Sequence, residues 1–76
     1  MKVPEKFPSG CRFASSFGGD EFVKFPDGNW FRLDEESVAL VPLKGAPVSD
    51  GCNSDEAYFM RSVSEAKRVN AEAKTA

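Results

Sequence analysis

The segment that most constrains the fold of this chain runs from residue 21 to residue 33, EFVKFPDGNWFRL. Two short runs in which apolar and charged residues alternate flank the turn sequence PDGN. Pro26 fixes φ at the first turn position, Asp27 can hydrogen-bond its own backbone, and Gly28 tolerates the left-handed conformation that closes a type I turn with a G1 bulge. The segment therefore predicts a β-hairpin.

The hairpin predicts a register in which Phe25 lies opposite Asn29. Side chains alternate between the two faces of a sheet with a period of two. One face then carries only apolar side chains, which predicts a core: Val23, Phe25, Phe31 and Leu33. The other carries aromatic rings between cations and is called the Trp30 face: Phe22, Lys24, Trp30 and Arg32.

Residues 1–10 contain two prolines and predict an extended arm without regular structure, with Phe7 tucked onto the domain.

Two further segments, residues 11–17 and residues 37–41, extend the predicted sheet. Residues 11–17 alternate as a strand does. Residues 37–41 predict another strand, followed by Pro42 near its end.

One helix is predicted after a loop at residues 44–53, which holds two glycines and a proline. Asn53 is the expected N-cap, with Glu56 at the third helical position. We expect helix over residues 54–71 and a frayed tail at 72–76. The face of this helix that meets the sheet is expected to carry residues at helical spacing: Phe59, Val63, Ala66, Asn70 and Ala73.

These elements predict one domain, residues 1–76, of the α+β class. Residues 11–43 form a small antiparallel meander of three to four strands, and the C-terminal helix, the only element able to cover the apolar face, packs on it. The alternative is a small SH3-like barrel closed by the strand at 37–41, with the helix appended. The expected core joins both elements: Phe25, Phe31, Leu33, Phe59 and Val63.

Size and composition favour a binding module over an enzyme. A chain of 76 residues buries only about 60% of its unfolded surface, which leaves little room for an enclosed substrate pocket. The chain has no histidine, the usual general base, and we expect no catalysis, cofactor or metal site. Cys11 and Cys52 are too few for a disulfide scaffold and are expected to be free thiols, although they could pair if the fold brought them together.

The same composition bears on location and on nucleic acids. No apolar run approaches the roughly 18 residues of a membrane span, and the N-terminus lacks the apolar stretch of a signal peptide. A cytoplasmic location is therefore expected. The net charge of −2 removes the general basic field of a duplex-binding protein, but a local basic patch remains open.

Six carboxylates cluster in and beside the hairpin. They are expected at turns and strand ends, where they form either a solvated rim or an acidic surface that meets a basic partner. The six are Asp20, Glu21, Asp27, Asp34, Glu35 and Glu36.

The Trp30 face has three interpretations: a solvated face on which Trp30 stacks with cation stems, a protein-binding surface, or a platform for single-stranded nucleic acid. The preferred hypothesis is a non-catalytic module, monomeric or homodimeric, that docks on a larger protein or complex, as small inhibitors or adaptors of phages and mobile elements do. The alternative is single-stranded nucleic-acid binding. The predicted partner-binding residues are Trp30, Arg32, Phe22, Lys24, Asp34, Glu35 and Glu36.

Overall fold

The structure, a computed structural model, describes residues 1–16, 18–47 and 52–75. Predictions that involve Phe17, residues 48–51 or Ala76 lie outside the described residues. The described chain forms five strands and one helix: β1 (Arg12–Ser15), β2 (Glu21–Lys24), β3 (Trp30–Asp34), β4 (Ala39–Pro42), β5 (Cys52–Ser54) and α1 (Glu56–Thr75).

The strands form one antiparallel sheet in the order β4-β3-β2-β1-β5. The predicted α+β fold, with a meander of β1 to β4 and a C-terminal helix, is confirmed. The prediction of loop through residue 53 is wrong, because β5 pairs with β1 and takes up its free edge. With β4 and β5 at opposite edges, the described sheet is open, which excludes the barrel alternative.

The hairpin turn has the predicted geometry. Gly28 has φ 94°, in the left-handed region. The Phe25 N–H donates to the Asn29 carbonyl at 2.9 Å, and the Gly28 N–H donates to the Phe25 carbonyl at 2.9 Å. Asp27 Oδ1 accepts a hydrogen bond from the Asn29 N–H at 3.0 Å. The predicted register follows, with Val23 opposite Phe31 and Lys24 opposite Trp30.

The strand predicted at residues 37–41 begins later, at Ala39. Val38 has φ 51°, which a β-branched residue rarely adopts and which a strand cannot contain. The turn before β4 therefore includes both Ser37 and Val38. The side-chain amide of Asn70 in α1 fixes this turn by donating to the carbonyls of Glu35 and Glu36, each at 3.0 Å.

The N-terminal arm is part of the domain at both of its ends. The Met1 ammonium donates to the Leu40 carbonyl at 3.0 Å, the Leu40 N–H donates to the Met1 carbonyl at 2.7 Å, and Lys2 bridges to Ala39. The expectation of an arm without regular structure is therefore wrong at its first residues, because they pair with the exposed edge of β4.

Phe7 places the other end of the arm in the core. Its ring packs edge-on against the rings of Phe13 and Phe59, with centroid distances of 5.2 Å and 5.4 Å. The centroid of the Phe25 ring lies 5.8 Å away. Only 4% of Phe7 is exposed. The arm and the helix thus cover the apolar face together, which corrects the prediction that the helix alone would do so.

The buried core differs in part from the predicted one. Leu33, Phe59 and Val63 are buried as expected, whereas Phe25 and Phe31 pack against the core and stay half-buried. Phe25 lies just beyond β2, and Phe31 pairs with Pro42 at the end of β4, so both rings lie where the sheet ends. The cluster of buried residues is Phe7, Val23, Leu33, Leu40, Phe59 and Val63.

Helix α1 begins two residues later than predicted. Asp55 is the N-cap: its Oδ1 accepts from the Tyr58 N–H at 2.8 Å, and its carbonyl accepts from the Phe59 N–H at 3.0 Å. Asn53 cannot cap the helix because it belongs to β5. The helix continues to Thr75 instead of 71, since its last residues include strong helix formers. No helix in the described residues is long and apolar enough to cross a membrane.

Replacing the N-cap tests this helix start. Asp55→Ala removes the acceptor of the Tyr58 N–H and is expected to lower the free energy of unfolding by about 1 kcal/mol. Asp55→Asn keeps an acceptor oxygen, and its free energy of unfolding is expected to stay within a few tenths of a kcal/mol of the parent value. Urea titrations followed by circular dichroism measure both. Equal midpoints for the Ala and Asn variants would contradict the assignment.

Candidate functional site

Strand pairing assembles the Trp30 face from the four strands β1 to β4. Arg12 of β1 lies opposite Lys24, and Lys24 lies opposite Trp30. Directly paired residues share a face, so these three side chains form one row across the sheet. A second row contains Ala14, Phe22, Arg32 and Val41. The structure thus adds Arg12 to the predicted cations, because the pairing of β1 with β2 could not be read from the hairpin alone.

The residues of this face differ in how far their side chains are exposed. Arg12 is exposed, and Lys24, Trp30 and Arg32 are half-buried, so all four can meet a partner. Phe22 is only 7% exposed, which corrects the prediction that it is a surface anchor. It lies on β2, the central strand of the sheet, with strands on both sides. Ala14, which pairs with Phe22 in the same row, is buried as well, so this part of the Trp30 face is not exposed.

Arg32 and Asp34 form the upper border of the Trp30 face. Arg32 Nη1 donates to the Leu33 carbonyl at 3.3 Å. The Ser37 hydroxyl donates to Asp34 Oδ2 at 2.6 Å, and this bond, with a smaller contribution from Arg32, lowers the pKa of Asp34. Asp34 is therefore an ionised carboxylate held by its own turn.

Glu35 and Glu36 lie between the two sides of the sheet, because they share a small pocket of about 250 Å³ with Arg32 and Asp34 at the border of the Trp30 face. They line a groove of about 400 Å³ with residues of α1, which covers the opposite side of the sheet. Glu65 and half-exposed Val69 belong to the same groove. The structure therefore brings four of the seven predicted partner-binding residues to one pocket, Arg32, Asp34, Glu35 and Glu36, whereas Phe22, Lys24 and Trp30 do not line it.

Glu21 is a buried carboxylate, so the expectation that it belongs to a solvated rim or to an acidic surface is wrong. It lies on the same face as Val23 and is 4% exposed. Its Oε1 has no hydrogen-bond partner among the described residues. Burial, and then the charge of Glu35, raise the pKa of Glu21 to about 7. The alternation that placed Val23 in the core was the signal that could have identified it.

Glu21 lines a cavity of about 630 Å³ between the β1–β2 turn and the start of α1, called the Glu21 cavity. The hydroxyl of Ser54 in this lining is also buried without a partner in the described chain. The described residues that line it are Ser15, Ser16, Gly19, Glu21, Ser54, Asp55, Tyr58 and Ser62.

Cys11 has the properties of a structural thiol. It is free and half-buried, which agrees with the prediction for this residue, while the side chain of Cys52 lies outside the described part. Burial, and then the charge of Glu56, raise the pKa of the Cys11 thiol. A raised pKa makes the thiolate scarce at neutral pH, so Cys11 is not an activated nucleophile. Within the described ranges, no group of His, Cys, Asp or Glu side chains could hold a metal ion.

Comparisons of the chain with protein-family models, curated proteins and solved structures found no match. The function is therefore inferred from the geometry of its own surfaces.

The buried Glu21 predicts an unusual dependence of stability on pH. Its pKa is about 7 in the folded state against an ordinary 4.5, so the native state holds a proton that the unfolded state releases in this range. Its contribution to stability is therefore complete below the ordinary pKa and falls as the pH rises toward about 7.

We expect Glu21→Gln, which stays neutral, to be more stable than the parent at about pH 8 and close to it at about pH 4. Urea titrations at several pH values measure the difference. Glu36→Gln, at an exposed position, is the control and should leave the pH profile unchanged. A parallel offset between Glu21→Gln and the parent at all pH values would contradict a raised pKa.

Proposed function

We propose that this chain is a non-catalytic protein-interaction module that binds a larger protein through the Trp30 face. The observation that carries the proposal is the convergence of three strands on one surface: β1 contributes Arg12, β2 contributes Lys24, and β3 contributes Trp30 and Arg32. This surface lies on the side of the sheet opposite α1 and the core.

The residue types on this face, and the paired strand that carries them, are those expected of a binding surface. Tryptophan and arginine are the residues most enriched among those that dominate binding energy at interfaces. Trp30 and Arg32 project from a strand paired on both sides, so little conformational freedom is lost when a partner binds. A preformed anchor of this kind needs no rearrangement of the backbone.

The charge of the Trp30 face defines its partner. Lys24 lies directly opposite Trp30, Arg32 lies two residues along the same strand, and Arg12 lies beyond Lys24 in the same row. Asp34 at the border is already bonded to Ser37. Charge complementarity therefore favours a protein that presents acidic side chains around an apolar pocket for the indole.

The ionisable side chains of this chain support a role without catalysis. The sequence has no histidine, and the raised pKa of Cys11 disfavours nucleophilic attack. A small module that occupies a surface of a larger protein acts as an inhibitor or an adaptor, and we place this chain in that class.

Arg12 also favours a second candidate function, binding of single-stranded nucleic acid. Three cations on the same face as Trp30 provide contacts for phosphates, and the indole provides one stacking surface for a base. The negative net charge of the chain opposes this candidate, which is why it ranks second.

Charge reversal on the Trp30 face separates the candidates and tests the proposal. The parent, Lys24→Glu and Lys67→Glu serve as baits for protein capture, and each is titrated with single-stranded oligonucleotides while Trp30 fluorescence is followed. Lys67 is an exposed cation on α1, so its reversal changes the net charge equally elsewhere.

The proposal expects a protein captured by the parent and Lys67→Glu and lost with Lys24→Glu. Saturable, salt-sensitive quenching of Trp30 by oligonucleotides, lost in Lys24→Glu, would instead support the second candidate. Equal capture by all three baits would contradict the proposed surface.

A further inference from the structure

The Glu21 cavity contains two buried polar groups that have no partner among the described residues, Glu21 Oε1 and Ser54 Oγ. A buried polar atom without a hydrogen bond is costly, and most such atoms in folded proteins have a partner. Both atoms belong to residues that line the same cavity. Neither atom has accessible surface in this structure, so a ligand reaches them only when the side chains that cover them move; by donating hydrogen bonds to both it would then remove this cost.

The charges around the cavity select the sign of the ligand. Glu21 and Asp55 line it, Glu35 acts on Glu21 from the β3–β4 turn, and the described residues of the lining include neither lysine nor arginine. The start of α1 would favour an anion, but Asp55 caps it and already accepts from the Tyr58 N–H at 2.8 Å. The cavity is therefore suited to a cation.

The remaining lining selects the kind of cation. The described residues offer no cluster of three metal ligands, whereas hydroxyl groups are abundant in the lining. A primary ammonium has three N–H donors, enough for a carboxylate oxygen and the hydroxyls beside it. The volume of about 630 Å³ lies in the usual range for small-molecule sites.

We propose that the Glu21 cavity binds the primary ammonium group of a small organic molecule, which donates hydrogen bonds to Glu21 Oε1 and Ser54 Oγ. The site lies on the helix side of the sheet, so it is separate from the Trp30 face and does not depend on the function proposed for it.

Binding is linked to pH through Glu21. The titratable groups that the described residues bring to it are Glu35 from the β3–β4 turn and Asp55 and Tyr58 from the start of α1, whereas Ser15 at the end of β1 and Ser16 just after it contribute hydroxyls. The ammonium pairs with the ionised carboxylate. Affinity should therefore rise with pH up to about 7, the pKa of Glu21 in the absence of ligand, and level off above it.

Titration of the full chain with n-butylammonium chloride tests the proposal. Amide resonances of the ¹⁵N-labelled protein are followed at about pH 8 and constant ionic strength. We expect saturable shifts centred on Ser54, Tyr58 and Ser62, and at least about tenfold weaker binding at pH 5. Tetramethylammonium has the same charge but no N–H donor, and it should bind at least about tenfold more weakly.

Variants assign the effect to the two polar groups. Glu21→Gln should weaken n-butylammonium binding by about tenfold or more, and Ser54→Ala by a smaller factor. Glu36→Gln, outside the cavity, should bind as the parent does. The tetramethylammonium comparison uses the parent protein, so it remains decisive even if Glu21→Gln fails to fold.

Three results would overturn the proposal. These are the absence of saturable shifts with n-butylammonium, equal binding of tetramethylammonium, and undiminished binding by a folded Glu21→Gln. None of them bears on the Trp30 face, and loss of partner capture by Trp30 variants would leave the ammonium titration unchanged.

Discussion

Phe59→Ala is expected to remove a large part of the free energy that keeps this domain folded. Phe59 is fully buried, and its ring lies 5.4 Å from each of the rings of Phe7 and Phe13. Truncating such a residue costs about 3 to 5 kcal/mol. A domain of this size has a total stability of roughly 4 to 11 kcal/mol, from the usual range per residue. The arm, β1 and the helix meet at this ring, so all three should lose order together.

A urea titration followed by circular dichroism measures the loss. Tyr58→Ala is the matched control, since Tyr58 is the preceding helical residue and is 50% exposed. We expect the Tyr58 variant to lose at most about 1 kcal/mol. Similar midpoints for Phe59→Ala and the parent would show that the helix does not cover the sheet as described.

Trp30→Ala is expected to weaken partner binding by about 2 kcal/mol or more, which is roughly thirtyfold in Kd. Its effect on folding should be smaller, about 1 kcal/mol, because Trp30 is half-buried and lies on the face opposite the core. Arg32→Ala should separate binding from folding in the same way. Phe59→Ala should instead reduce both, because the strands that carry the Trp30 face depend on the core.

The parts of the fold that could be predicted depend on local sequence. Pro26, Asp27 and Gly28 define a turn through their own backbone preferences, and the turn fixes the register of the strands beside it. Alternation then assigns Trp30 and Arg32 to one face. These interactions need no knowledge of distant segments, and the structure has them as predicted.

The parts that could not be predicted depend on distant contacts. β5 has three residues and no pattern typical of a strand, and it forms because β1 has a free edge. Met1 and Lys2 pair with β4 for the same reason. A short segment that follows the hydrogen-bonding pattern of a neighbour carries little sequence signal of its own.

The alternation of side chains along a strand also assigns each residue to a face of the sheet, but it does not show which other segments cover that face. Phe22 was correctly placed beside Trp30, but its burial on the central strand depends on what surrounds it. Glu21 shows the converse: its face was available from the register, yet its charge suggested solvent. A carboxylate on the core face was therefore the clearest sign of a second site.

The most direct test of binding through the Trp30 face is calorimetric titration of Trp30→Ala against the partner that the parent captures, with a thermal melt of each protein. Lys67→Ala, an exposed change on α1, is the control. We expect Trp30→Ala to stay folded and bind about thirtyfold more weakly, while Lys67→Ala binds as the parent does. A folded Trp30→Ala with the Kd of the parent would contradict the account and place the interface elsewhere.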